Sequence, residues 1–466
     1  MKKCAVLIGI MMFVTEIYAA PVKQGIFDNV PKDDKEPQVN PDNSKKTGFN
    51  SQIEITKIDI SPLKHAYGTN IIYGMLTTDG TPDCVLRFAP DGMAYLGFSD
   101  KDFNTYIYKL DSKMKISGKP LIKIAAKRFE NFIITENGIA LAVASWVNES
   151  LGTEYYTYFN HLYFRLYSMN GSLIHENYVV GCGIWENIGD QSYGGDGIDI
   201  VWTGDYYALY FTTYKKAYDG VVHESEYLTF LNPDGEQLKD QKGYDLRFPW
   251  NVSHSFRPHL EYYETEETLM MVTMGDAYPI GMAAYTHKKE LENFYENGIT
   301  KVIYDVSIEQ GDNDTHVSIG DTMIVDEGML IVADNKEGLS GYDLCMFYLY
   351  PDCTHKGPIW LTKTPNNFER LPKVAMYGKN YFIAWGEQAE WSDFKSHNGE
   401  YLGSSFTECY AMVVSPDGKV IVPKQKLDVH FRGNSEFFNY ENGDIGWIDS
   451  TQSDQYFNLI RLKVAE

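Results

Sequence analysis

One turn signal comes back seven times along this chain of 466 residues, and each time an apolar run of similar length follows it. The turns are Pro90-Asp91-Gly92, Glu136-Asn137-Gly138, Thr203-Gly204-Asp205, Thr265-Glu266-Glu267, Asp326-Glu327-Gly328, Gly378-Lys379-Asn380 and Glu441-Asn442-Gly443. The runs are Met93–Phe98, Ile139–Ala144, Tyr206–Phe211, Leu269–Met274, Met329–Asp334, Tyr381–Gly386 and Asp444–Asp449. Asn-Gly and Asp-Gly supply the positive backbone angles of a tight hairpin, so each turn joins two antiparallel strands.

The rest of each unit repeats too. A first strand precedes the turn, as in Asn131–Thr135, Leu260–Tyr263 and Lys373–Tyr377. A third strand follows a loop of variable length: Thr105–Leu110, Tyr163–Tyr167, Tyr227–Leu231, Gly281–Tyr285, Leu344–Leu349, Cys409–Val414 and Asn458–Leu462. Second turns at Asn170-Gly171, Pro233-Asp234-Gly235 and Pro416-Asp417-Gly418 lead into a fourth. Such a four-stranded unit cannot bury both its faces alone, and a period of roughly 45 to 65 residues places it in a propeller. The expected fold is all-β, a seven-bladed β-propeller of four-stranded antiparallel blades over residues 51–466. The last unit ends after its third strand, so an N-terminal strand, Gln52–Ile60 or Ile71–Leu76, is expected to supply the fourth and close the ring. Closure removes an exposed sheet edge. Lys288–Glu296 is the one stretch that reads as helix.

Two lysines, Lys2 and Lys3, precede an apolar run from Ala5 to Val14 and a small-residue exit at Ala19-Ala20. Residues 1–19 therefore read as a secretory signal peptide. Residues 20–50, rich in Pro, Asp, Asn and Lys, read as a flexible leader. The expected location is extracellular, or periplasmic in a bacterium, and the protein a monomer with no membrane span. A net charge of −23 and a pI near 4.9 argue against nucleic acid as a partner. Outside the signal segment stand Cys84, Cys182, Cys345, Cys353 and Cys409. An odd number leaves at least one unpaired within the chain; Cys345 and Cys353 could bridge a hairpin, or most could be buried thiols. Sequons at Asn148, Asn170, Asn251 and Asn313 make the protein a glycoprotein if the source is eukaryotic.

Function is expected where the fourth strand of one blade crosses to the first strand of the next, around the central funnel. The chain has eight arginines, and Arg128, Arg257, Arg370 and Arg432 all fall at such crossings. Arginine aimed at one ring suits bidentate recognition of a carboxylate, sulfate or phosphate. The alternative use is to tie blades together through Glu130, Asp196 or Glu436. Crossing loops also carry His254, His316 and Asp196, candidates for acid and base chemistry. Asp312 and Asp314 alternate as calcium ligands can, but the full calcium-loop pattern is missing, and no cofactor motif is present. Trp146, Trp250 and Trp391 on loops could pack against a sugar face or a protein, whereas Trp202, Trp385 and Trp447 fall in repeat strands and read as core.

These features resemble those of secreted seven-bladed propellers, and converging arginines are similar to those with which sialidases hold a substrate carboxylate. The Ser-x-Asp-x-Gly-x-x-Trp box of sialidases, the Gly-His and Trp-Asp signature of WD repeats and the paired glycines of kelch repeats are not present. The first reading is a secreted binding or scaffolding propeller that engages an acidic glycan or a protein through its funnel and surrounding loops, favoured by the absence of a recognised catalytic motif. The second reading is an extracellular carbohydrate-active enzyme, a glycoside hydrolase or polysaccharide lyase.

Overall fold

Apolar side chains alternate along the second strand of each unit, and the two faces of that strand meet two different neighbours. The structure, a computed structural model, describes residues 48–66, 82, 84–145, 161–180, 191–216, 222–243, 245–249, 255–276, 280–291, 298–305, 317–335, 341–364, 368–388 and 408–464. Among these residues the strands form seven four-stranded antiparallel sheets. The first described strand is β1 (Ile53–Asp59). Blade 1 is β2 (Cys84–Phe88), β3 (Ala94–Ser99), β4 (Thr105–Lys109) and β5 (Ile122–Ile124). Blade 2 is β6 (Arg128–Thr135), β7 (Gly138–Ser145), β8 (His161–Tyr167) and β9 (Leu173–Val180). Blade 3 is β10 (Gln191–Trp202), β11 (Tyr207–Lys216), β12 (Val222–Leu231) and β13 (Arg247–Pro249). Blade 4 is β14 (Ser255–Tyr263), β15 (Thr268–Asp276), β16 (Ile280–Lys288) and β17 (Ile299–Asp305). Blade 5 is β18 (Val317–Val325), β19 (Gly328–Asn335), β20 (Asp343–Leu349) and β21 (His355–Trp360). Blade 6 is β22 (Phe368–Tyr377), β23 (Asn380–Gln388), β24 (Glu408–Val414) and β25 (Val420–Leu427). Blade 7 is β26 (Phe437–Asn439), β27 (Ile445–Asp449) and β28 (Tyr456–Leu462), with β1 as its outer strand. The protein is thus a seven-bladed β-propeller, and all seven repeated turns join the first and second strands of their blades.

In β7, Ala140, Ala142 and Ala144 pack toward blade 3, while Ile139, Leu141 and Val143 pack toward blade 1. Successive side chains point to opposite faces of a strand, so a blade covered on both sides needs apolar residues at every position of its middle strands. Outer strands lack that double cover and mix exposed with buried positions, as in β9, β17 and β25. Each junction between neighbouring blades holds its own apolar core. The turns depend on glycine where the second strand starts: Gly138 has φ +133°, and a side chain there would collide with the Tyr167 carbonyl oxygen.

Ring closure follows the expectation from Gln52–Ile60. All seven residues of β1 pair antiparallel with β28, from Ile53 opposite Leu462 to Asp59 opposite Tyr456. Ile71–Leu76 lies outside the described residues. The leader, expected to run to Asn50, ends sooner. Gly48–Ser51 forms a turn of 3-10 helix whose Phe49 is buried in the core between blades 6 and 7. The Phe49 amide donates to Gln425 Oε1 at 3.0 Å, and the Asp428 amide donates to Asn50 Oδ1 at 2.9 Å.

Three further expectations meet the structure here. The helix read at Lys288–Glu296 is not present where it can be seen: Lys288 is the last residue of β16, opposite Thr268, and 289–291 are irregular. Pairing with β15 claims the first residue of a charged stretch whose composition alone favours helix; 292–297 lie outside the described residues. Trp385 and Trp447 are fully buried, but Trp202 is only half-buried, with Nε1 donating to Glu136 Oε1 at 2.9 Å. Cys84, Cys345, Cys353 and Cys409 are buried thiols, and the hairpin bridge between Cys345 and Cys353 does not form. No helix of the described residues is long and apolar enough to cross a membrane.

A truncation removing residues 1–47 is expected to melt with the full chain. Removing 1–50 also takes away Phe49, a loss equivalent to Phe→Ala in a core, which costs about 3–5 kcal/mol. Removing 1–59 takes away β1 and opens the ring, so soluble yield should collapse. Equal melting temperatures for the three truncations would refute the closure.

Candidate functional site

The first strands line the axis, and their registers align. Each hairpin between first and second strands closes on one residue: Thr135, Thr203, Tyr263, Val325, Tyr377 or Tyr440 in blades 2 to 7. Four residues back from these stand Asn131, Asp199, His259, Asp321, Lys373 and Glu436. In blade 1 the equivalent residue is the buried Val85, and Arg87, two positions on, fills the gap. Six blades thus place a polar side chain at the same level, and all six, with Arg87, Arg257, Glu261 and Thr322, line a central cavity of about 270 Å³.

Bulges set this level. In β6, β14, β18 and β22 the ladder slips immediately before Asn131, His259, Asp321 and Lys373, and β10 is irregular between Tyr193 and Ile198. A bulge turns the following side chain out of the sheet's regular alternation. Backbone strain marks two of them: Arg257 (φ +54°) and Leu371 (φ +52°) are left-handed residues, each ahead of a proline. Gly320 sits at a third, where a side chain would strike the Pro372 carbonyl oxygen of the next blade.

Ring residues and their neighbours staple the blades around the axis. Arg87 joins three blades, donating to the Phe132 carbonyl at 3.1 Å, to Asn131 Oδ1 at 3.2 Å and to Glu436 through both terminal nitrogens, one at 3.0 Å from Oε1. Asn131 Nδ2 donates to the Ile198 carbonyl at 2.9 Å. Asp199 Oδ2 accepts the Leu260 amide at 2.9 Å. Arg257 Nη1 donates to the Ile319 carbonyl at 2.6 Å, and Thr322 Oγ1 to Glu261 Oε1 at 3.0 Å. Asp321 accepts the amides of Thr322 and Val374, both at 3.1 Å, while Lys373 Nζ donates to the Gly320 carbonyl at 2.7 Å. Asn439 closes the circuit with two bonds to the backbone of Met376.

Burial in this channel favours neutral forms. It pushes the Asp199 carboxyl up to about 8, against the Leu260 amide bond, with Glu261 and Glu436 adding repulsion. Glu261 rises to about 7 through burial, offset by its Thr322 bond and reinforced by Asp321. Asp321 rises only to about 6, because Lys373 and the Val374 amide oppose the burial. The same burial, with Arg257 close by, brings Lys373 down to about 8 even though Asp321 pulls the other way. His259 falls to about 3 through burial and the nearby Arg257 and Lys373, so its ring is neutral at physiological pH; Nδ1 lies 3.9 Å from Asp199 Oδ2. Asp199 keeps 31% of its side chain open, so channel water moderates the first of these shifts.

The four arginines of the crossings are all buried but do different things. Arg128 Nε lies 2.7 Å from Glu130 Oε1. Arg370 Nε lies 3.0 Å from Asp334 Oδ1; its Nη2 donates to Ser318 Oγ at 2.9 Å, and its guanidinium stacks 3.8 Å from the Tyr342 ring centre. Both stand three residues before their ring member, whereas Arg257 stands two before His259, on the bulge itself. Of the four, Arg257 alone lines the cavity. Arg432 stands four before Glu436, and its amide donates to Ser435 Oγ at 3.0 Å. His254, His316, Trp146, Trp250, Trp391, Asp312 and Asp314 lie outside the described residues. Asp196 belongs to β10, but its side chain is not among those described. Among the described residues no group of three His, Cys, Asp or Glu side chains could hold a metal ion.

Sequence reasoning passed over Arg87, Asn131, His259, Glu261, Asp321 and Lys373 as site residues, and gave Glu436 only as a tie between blades. The signal was there: polar residues at a fixed distance before six of the seven turns.

No protein-family model and no curated protein matches the sequence. Several solved structures are similar at low level. A mutant of the Synechocystis apocarotenoid oxygenase aligns with 9% identity and a TM-score of 0.39, covering 74% of this chain and 72% of that one. The GH43_1 enzyme from Xanthomonas citri complexed with xylotriose aligns with 9% identity and a TM-score of 0.32, covering 72% and 86%. A subtype N10 neuraminidase-like protein of A/little yellow-shouldered bat/Guatemala aligns with 7% identity and a TM-score of 0.38, covering 81% and 93%. Likenesses this slight assign no activity, and the sheet topology defines the propeller without them.

The raised carboxyls have a consequence for stability. Asp199, Glu261 and Asp321 hold their protons more tightly folded than unfolded. Their contribution is therefore complete below about pH 4, the unfolded range, and is lost as pH rises through about 6, 7 and 8. His259, depressed to about 3, acts in the opposite sense, but only below its unfolded value of about 6.5. Between those limits, from about pH 6.5 to 8, the melting temperature should fall. Asp199→Asn keeps an acceptor for the Leu260 amide and should make the decline shallower; melts at half-unit pH steps that show identical slopes for variant and parent would refute it. In contrast, Arg370→Met should cost about 3–5 kcal/mol at any pH in that range, because it leaves Asp334 buried without its ion pair; a loss under 1 kcal/mol in chemical denaturation would contradict the pairing.

Proposed function

We propose that the protein is a secreted glycan-binding propeller whose central channel takes one acidic sugar unit. The observation that carries this reading is the placement of Arg257 and Lys373, from blades 4 and 6, in one cavity with Asp199, Glu261 and Asp321. A carboxylated sugar presents an anion and a set of hydroxyls, and the cavity offers cations for the first and acceptors for the second. Neutral His259 adds a group that can donate or accept. Protein docking would call on the surrounding surface instead, and a cavity of about 270 Å³ has room for one sugar unit, being slightly smaller than typical ligand pockets of about 300–1,000 Å³. Secretion is supported by the charged, apolar and small-residue order of residues 1–19.

Titration calorimetry with uronate-containing, sulfated, sialylated and neutral oligosaccharides tests the reading. Uronate binding is expected, with Lys373→Met weakening it at least about tenfold, since a hydrogen bond to a charged group contributes about 1.5–3 kcal/mol. Weak binding of neutral sugars should survive the substitution. Equal affinity for neutral and uronate oligomers, or an equal loss for both in Lys373→Met, would overturn the acidic-sugar assignment.

A further inference from the structure

The channel contains more than a binding site needs. Glu261 and Asp321 stand on the first strands of neighbouring blades, both lining the cavity, and their supports differ. Asp321 accepts two backbone amides, from Thr322 and Val374, and has Lys373 close by. Those donors favour its ionised form. The hydrogen bond shown to Glu261 is a single hydroxyl, from Thr322, which does not require ionisation. Two carboxyls in one sugar-sized cavity, one held by more donors and so the more readily ionised, are the pair that acid and base hydrolysis of a glycosidic bond uses.

We propose that the channel hydrolyses the glycosidic bond of a terminal acidic sugar, with Glu261 as general acid and Asp321 as general base. The proposal rests on the acidic-sugar reading above. Glu261 gives its proton to the glycosidic oxygen as the bond from that oxygen to the anomeric carbon breaks, which releases an alcohol. A water molecule adds its oxygen to the anomeric carbon, and the proton it loses passes to Asp321. Both carboxyls then exchange protons with solvent and return to their starting forms. Arg257 and Lys373 hold the sugar carboxylate, and Lys373 keeps Asp321 ionised until the water is deprotonated. The direction of burial and charge at each carboxyl agrees, with Glu261 raised to about 7 and Asp321 to about 6. The limited space favours the end unit of a chain over an internal one.

The full-length protein should be assayed on uronate oligosaccharides and on aryl glycosides of glucuronic acid, galacturonic acid and glucose, reading reducing ends and ultraviolet absorbance separately. Turnover is expected on a uronide, with reducing ends and no unsaturated product. Glu261→Gln should slow the oligosaccharide by about 100-fold or more, the usual contribution of a general acid. It should slow the aryl uronide much less, because a good leaving group needs no proton. Asp321→Asn should slow both. A purely structural Glu261 would lower both rates together in Glu261→Gln, and that result overturns the assignment. Should that variant fail to fold, the wild-type pH profile decides: the oligosaccharide rate must fall as pH passes about 7 while the aryl rate holds, and parallel falls overturn the acid role. Uronate binding without turnover, or with an unsaturated product, overturns hydrolysis and leaves the binding reading intact. Absence of uronate binding overturns both.

Discussion

A propeller is stable only if its ring is shut, because each blade hides its faces against two neighbours and no blade hides them alone. Here the shutting contact is the seven-residue ladder between β1 and β28. Without it, blades 7 and 1 would lose Ile58 and Ile60 from their shared core, and β28 would present an open edge. Phe49 extends the same strap onto the junction of blades 6 and 7. The N-terminal segment therefore spans two junctions, with Phe49 and Ile53 against one core and Ile58 and Ile60 in the other.

Closure has a second effect at the axis. Seven first strands converge there, too close to pack large apolar residues and too exposed to channel water to be left bare. The chain meets this with polar side chains that cross from one blade to the next, so that Arg87, Asn131, Asp199 and Asp321 each satisfy backbone or side-chain groups of a neighbour. Buried polar groups are tolerated when bonded, and these are. Because the channel is partly dry, Asp199 and Glu261 retain protons at pH values where surface carboxylates have none. The chemistry available to the site thus grows out of the device that holds the blades.

The blades were legible in the sequence because their signals are local: Asn-Gly and Asp-Gly turns, and apolar runs at every position of the middle strands. Closure was legible for a different reason, since a three-stranded last unit and a spare strand such as Gln52–Ile60 complement each other. The ring was harder to see. Asn131 and Lys373 begin runs that read as ordinary first strands, and only counting back from each turn shows that they share a level with Asp199, His259, Asp321 and Glu436. Arginine attracted notice as a residue type, but residue type does not distinguish a side chain before a bulge from one on it. The bulges themselves depend on register between strands, a property that no single segment carries. Lys288 failed as a helix start for the same reason, since its pairing opposite Thr268 is a long-range fact.

One residue of offset separates a structural arginine from one that faces the cavity. Arg128 and Arg370, three before the ring, pair with Glu130 and Asp334. Arg257 takes the left-handed bulge position that Leu371 occupies in blade 6, accepting a backbone conformation unfavourable for any residue with a side chain. Strain of that kind costs on the order of 1–3 kcal/mol and persists only where the surroundings enforce it. The bond from Arg257 to the Ile319 carbonyl is one such restraint. Blade 6 makes the same bend with an apolar leucine, so the bend by itself does not call for arginine. What blade 4 gains from arginine at this position is a cation in the channel beside His259, opposite carboxyls that burial has made reluctant to ionise, and a second cation, Lys373, reaches the same space from the ring of blade 6.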